Sequence, residues 1–73
     1  MKVTKTQALM LILKTLLENK EISKEDVMKD IDISDLQFHR YMQEIRAFLF
    51  NFNFQYKLIY KRSSETYLLI KDL

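Results

Sequence analysis

Seventy-three residues, 48% apolar and 30% charged, describe one small globular domain and exclude a disordered segment. The lack of cysteine excludes a disulfide framework and a thiolate metal site and suits a reducing, cytoplasmic compartment. The net charge of +2 is mild but uneven: residues 1–36 hold six lysines against seven acids, and residues 37–73 hold six basic residues against three acids. An anionic partner is therefore expected to meet the second half.

The longest apolar run, Ala8 to Leu13, is too short to span a bilayer. MKVTK before it mimics a secretory signal, but Lys14 interrupts the run and no small-residue cleavage site follows. Gly and Pro are both absent, so Asn, Asp and Ser are expected to make the turns.

A first helix is predicted over about 4–19. Leu9, Ile12, Leu13, Leu16 and Leu17 form one apolar stripe, Thr4 or Thr6 caps the start, and Asn19 stands as a left-handed stop. A second helix is predicted over about 23–31. Ser23 is its N-cap, Asp26 the partner three residues on, and Ile22 and Val27 a hydrophobic staple. Val27, Met28 and Ile31 are expected to be its buried side.

ISDLQF then repeats the start signal of ISKEDV. Ser34 caps a third helix over about 34–50, Gln37 closes the capping box and Ile33 staples Phe38. The short connection between the capped helices, with Asp32 in its strained position, predicts a helix-turn-helix. Phe38, Tyr41, Met42, Ile45 and Leu49 fall on the buried side of the third helix. Leu36, Gln37, His39, Arg40, Gln43, Glu44 and Ala47 fall on the exposed side.

From Phe48 to Tyr60 the large apolar residues take every even position, a strand period. The helix is expected to give way near Asn51. A hairpin follows over about 55–70, with Tyr60 opposite Tyr67, Leu58 opposite Leu69 and a four-residue loop from Arg62 to Glu65. The expected fold is mainly α with a β-hairpin: a single winged helix-turn-helix over 1–73, three helices followed by a two-stranded wing.

At these residues the chain resembles the helix-turn-helix of DeoR-type repressors and of the winged-helix domains that precede WYL modules. Ile33-Ser34 matches the family's Val-Ser, Phe38-His39-Arg40 its aromatic-Arg positions, Met42 and Ile45 its buried stripe, and KLIYKRSSETYLLI its wing. The chain departs from the family in carrying Asp35 and Leu36 where basic residues are common, and in lacking the family's glycines.

The resemblance implies a small transcriptional regulator that places its third helix in the major groove of double-stranded DNA and its wing on the backbone. Ser34, Gln37, His39, Arg40, Gln43, Lys57, Lys61, Arg62 and Ser63 are the candidate DNA-binding residues. Arg40 has the fork of donors that reads guanine, and Gln43 can pair with adenine. Wing lysines and arginines add salt-dependent contacts to phosphate. A homodimer is expected, because two half-sites add their contacts.

The alternative is a protein-binding winged helix, an adaptor or an inhibitor of another regulator, with Leu36, Phe50, Phe52 and Phe54 as the candidate interface. A lone His39 makes no metal site, and no nucleophile–base pair, paired carboxylates or phosphate loop points to an enzyme. Neither a cofactor nor a small-molecule substrate is expected.

Overall fold

The computed structural model describes residues 3–52 and 55–71. Its order is α1 (Lys5–Asn19), β1 (Glu21–Ser23), α2 (Lys24–Asp30), α3 (Asp35–Phe52), β2 (Tyr56–Lys61) and β3 (Thr66–Lys71). The strands form an antiparallel sheet in the order β1-β3-β2. The architecture is α+β, with three helices and three strands among the described residues. The expected two-stranded wing is thus a hairpin extended by a third strand.

Thr4 caps α1 through a full capping box. Its Oγ1 accepts the Gln7 N–H at 3.1 Å, and Gln7 Oε1 accepts the Thr4 N–H at 3.3 Å. The deepest line of α1 is Ala8, Ile12 and Leu16, while Leu9 and Leu13 are partly buried and Leu17 is 40% exposed. The stripe is therefore turned toward Ala8, whose small side chain lets the helix approach the core closely.

The left-handed stop is Lys20 (φ 64°), not Asn19. Its N–H donates to the Leu16 carbonyl at 2.8 Å, and its own carbonyl accepts the Leu69 N–H at 2.8 Å. The turn thus feeds the chain directly onto β3. Lys20 Nζ bonds back to the Leu17 carbonyl at 2.9 Å and lies 5.6 Å from the Tyr56 ring centre. These contacts offset the ~1–2 kcal/mol that a left-handed non-glycine residue costs.

The chain then forms β1 between the first two helices, a strand the spacing did not predict. Ile22 pairs with Tyr67 and is buried. Ser23 Oγ accepts the Asp26 N–H at 3.0 Å to start α2. The reciprocal bond from Asp26 does not form among the described residues, because Asp is one methylene shorter than the Glu that usually makes it.

The α2–α3 turn needs no left-handed residue. Positive φ occurs only at Lys20 and Glu65 among the described residues, so Asp32 is not strained. Ile31 is extended (φ −132°) and its N–H caps the Val27 carbonyl at 2.9 Å. Ile31 is buried beside Val27 in the core.

The capping box at α3 is complete. Ser34 Oγ accepts the Gln37 N–H at 3.1 Å, and Gln37 Oε1 accepts the Ser34 N–H at 2.9 Å. Phe38, Tyr41, Met42, Ile45 and Leu49 are its buried side, as the spacing predicts. The helix runs on to Phe52, past the expected change near Asn51. Phe48 and Phe52 lie one turn apart with ring centres at 5.4 Å, an i,i+4 contact that favours helix over strand.

The hairpin register is the expected one, Tyr60 opposite Tyr67 and Leu58 opposite Leu69. The turn runs from Arg62 to Glu65, with the Glu65 N–H on the Arg62 carbonyl at 3.3 Å and Glu65 at φ 51°. Tyr67 joins the hairpin to α3: its ring packs edge-on against Phe38 at 5.9 Å and beside Tyr60 at 4.8 Å. Burial pushes the Tyr67 hydroxyl pKa up.

Candidate nucleic-acid interface

At about 1.5 Å per residue, the 18 residues of α3 make a rod roughly 27 Å long. Helical spacing puts Leu36, Arg40, Gln43, Ala47 and Phe50 on one outward line, and all five are exposed. Arg40 makes no ion pair with Glu44, so its guanidinium is uncommitted among the described residues. Gln43 is likewise free of a hydrogen-bond partner within the described chain.

Gln37 is placed differently. Its Oε1 accepts the Ser34 N–H, which ties the amide to the cap and leaves one oxygen lone pair and the N–H₂. Bidentate pairing with adenine uses both ends of the amide, so the closed box fixes the orientation in which Gln37 could meet a base. Ser34 keeps one hydroxyl proton to donate.

His39 lies against its neighbours on α3. It is half-buried, its ring edge-packed with Phe38 at 5.8 Å and its Nε2 3.7 Å from an Asp35 carboxylate oxygen.

Lys5, which the sequence reading passed over, borders an open concavity of about 440 Å³ with Gln37, Arg40, Tyr41, Gln43 and Glu44. It sits in the first turn of α1, which holds no acid. The positive end of that helix dipole is therefore not neutralised locally. The only signal in the sequence was a lysine just inside a capped start.

Asp35, the residue of wrong sign for an anionic partner, is engaged by Lys24. Lys24 Nζ lies 2.7 Å from Asp35 and 3.0 Å from Glu65. The hydrogen bond from Lys24 holds the Asp35 carboxyl below its ordinary range, and bonds to Asp35 and then Glu65 raise the Lys24 ammonium above its own. The Lys24 N–H also donates to the Glu65 carbonyl at 3.3 Å. The start of α2, the start of α3 and the hairpin turn are thus tied at one point. One ammonium against two carboxylates leaves that point with a formal charge of −1.

This tie holds Glu65, in the same four-residue turn as Arg62 and Ser63, to Asp35 at the start of α3 through Lys24. Lys61 and Arg62 are exposed and form no ion pair among the described residues. Lys57 is exposed at the opposite end of β2, beside Phe50 and Arg46. The structure therefore gathers Lys5, Gln37, Arg40 and Gln43 around one concavity, joins Ser34 to that group through its bonds with Gln37, and sets Lys61, Arg62 and Ser63 at the hairpin turn. Lys57 is apart from both.

The candidate protein-interface residues also divide. Leu36 (60% exposed) and Phe50 (74%) stand on the outward line of α3. Phe52 stands with Phe48 on the flank beside α1. Phe54 lies outside the described residues.

Among the described residues no helix is long and apolar enough to cross a membrane, and no group of three or more His, Asp or Glu side chains is arranged to hold a metal ion. No protein-family model, curated protein or solved structure matches the chain.

Proposed function

We propose that the chain is a winged helix-turn-helix domain of the DeoR/WYL-associated kind that binds double-stranded DNA as a small transcriptional regulator. The order of three helices followed by a hairpin, with two capped helices joined by a short turn, supports the fold. The observation that carries the function is the outward line of α3, where Arg40 and Gln43 have no partner among the described residues and Lys5 stands beside them.

In this reading α3 lies in the major groove. Arg40 reads guanine and Gln43 reads adenine, while Lys5, Lys57, Lys61 and Arg62 neutralise phosphates. Ser34 and Ser63 donate hydroxyl hydrogen bonds to the backbone, Gln37 adds one amide contact, and His39 stays at the edge of the site. The domain acts as a homodimer.

A second reading, a winged helix that binds protein, is favoured by a separate observation. Leu36 and Phe50 are exposed on the same line as Arg40, and the tie at Asp35 is net negative.

Fluorescence anisotropy with a labelled duplex, titrated over a range of salt, separates the two. DNA binding gives an affinity that falls steeply with salt, and Lys5→Ala or Arg62→Ala lowers the log–log slope by about 1. Arg40→Ala weakens binding to a preferred site by about 1–3 kcal/mol. The absence of any binding at low salt overturns the DNA reading and leaves the protein-binding one.

A further inference from the structure

We propose that the flank formed by α1 and α3 is a homodimer interface, covered in solution by the same flank of a second copy. The proposal does not rest on DNA binding. It starts from an apolar groove of about 230 Å³ lined by Leu9, Met10, Leu13, Glu44, Ile45 and Phe48. Met10 is 65% exposed and Phe48 44%. The strip continues along both helices to Leu17, one turn beyond Leu13, and to Phe52, which is 75% exposed and in ring contact with Phe48.

Three observations select a second copy as the occupant. The first is area. With about 200 Å² per large side chain, Met10, Leu17, Phe48 and Phe52 leave roughly 400 Å² of apolar surface in one strip. A standard interface takes about 800 Å² from each partner, a little over half of it apolar, so the strip is the right size for one side.

The second is shape. A cavity of about 150 Å³ accepts a benzene ring, so this groove has room for a phenyl group such as the second copy's Phe52. Two helices side by side make a ridged face that packs on its own kind by interlocking ridges and grooves.

The third is charge. Lys14, one turn after Met10 on α1, is paired with Glu18 at 2.9 Å, and the α3 side of the groove carries Glu44, which has no ion pair among the described residues. Two copies related by a two-fold axis across the groove set Glu44 of each toward the Lys14 end of the other. A rim with both signs suits a self-complementary, isologous contact.

The free edge of β2 is a poorer place for a second copy. Arg46 Nη2 donates to the Leu58 carbonyl at 3.1 Å and occupies the edge at its centre.

Sedimentation equilibrium of the full chain without DNA tests the proposal. The wild type is expected to dimerise reversibly. Met10→Glu places a carboxylate one turn before Lys14, an arrangement favourable to α1, and Phe52→Lys places a cation at the C-terminal end of α3, also favourable. Each is expected to keep the wild-type circular dichroism spectrum and weaken the dimer on the order of 100-fold, because each change enters the interface twice. Phe50→Glu, on the other side of α3, is expected to leave the dimer intact.

A wild type that stays monomeric to about 1 mM overturns the proposal, since that bounds the association at about −4 kcal/mol. So do folded Met10→Glu and Phe52→Lys variants that dimerise like the wild type, and so does loss of the dimer in Phe50→Glu alone. Failure of DNA binding leaves the proposal standing, because no nucleic acid enters the measurement.

Discussion

Removing the Ser34 hydroxyl by Ser34→Ala tests how α3 is started. Ser34 Oγ holds the Gln37 N–H at 3.1 Å, and the groups of the box are exposed. Water can therefore replace the lost acceptor, and the cost is that of an N-cap, about 1 kcal/mol, rather than the larger penalty of an orphaned buried donor. The loss stays local because the first buried residue of α3, Phe38, lies a full turn inside the helix and is held by Tyr67. In a domain of this size about 1 kcal/mol lowers the melting temperature by roughly 4–8 °C. Urea unfolding followed by far-ultraviolet circular dichroism reads the change as a lower midpoint at unchanged slope. Ser34→Asn, which restores an acceptor, should return most of the stability. A loss below about 0.3 kcal/mol, or no recovery in Ser34→Asn, refutes the assignment of Ser34 as the cap.

Phe38→Ala removes a fully buried ring and should cost about 3–5 kcal/mol, a large share of the roughly 4–11 kcal/mol expected for a domain of this size, read as a lowered urea midpoint. Ile22→Ala should cost about 2–4 kcal/mol by urea unfolding if β1 is a packed strand; a cost near 1 kcal/mol or less would return Ile22 to a loop. Because Lys24 holds the Asp35 pKa below its ordinary value, this pair adds stability above about pH 4 and loses it as the pH falls through the lowered pKa. A carbon-detected titration of the Asp35 carboxyl should give a midpoint below the usual aspartate range, and Lys24→Met should bring it back up. An Asp35 midpoint unmoved by Lys24→Met would separate the two groups.

Much of the fold was written locally. The doubled Ile-Ser start signal marked both later helices, because a cap, its partner three residues on and a flanking apolar residue act within a single turn. The hairpin register could be read from Tyr60, Leu58 and their partners, because one face of the strand pair is buried and a one-residue slip would expose it. What the chain hid depends on partners distant in sequence. Glu21–Ser23 is too short to show a period, and it is a strand only because β3 lies beside it. Lys20 took the left-handed position because its carbonyl must meet Leu69.

The evenly spaced phenylalanines looked like a strand, yet a ring contact one turn apart keeps Phe48 to Phe52 helical. For the candidate site, the exposed placement of Arg40 and Gln43 on α3 was legible from helical spacing alone. Lys5 and Lys24 were not, since packing of α1 on α3, and of the hairpin turn on both later helices, brings them there.

The central claim is that the outward face of α3 reads DNA sequence. Its most direct test is selection from random duplexes by the purified chain at two salt concentrations, read by sequencing. The account predicts one enriched motif that persists at the higher salt and that loses its guanine preference at one position in Arg40→Ala. Retention without enrichment, or enrichment unchanged by Arg40→Ala, would contradict it.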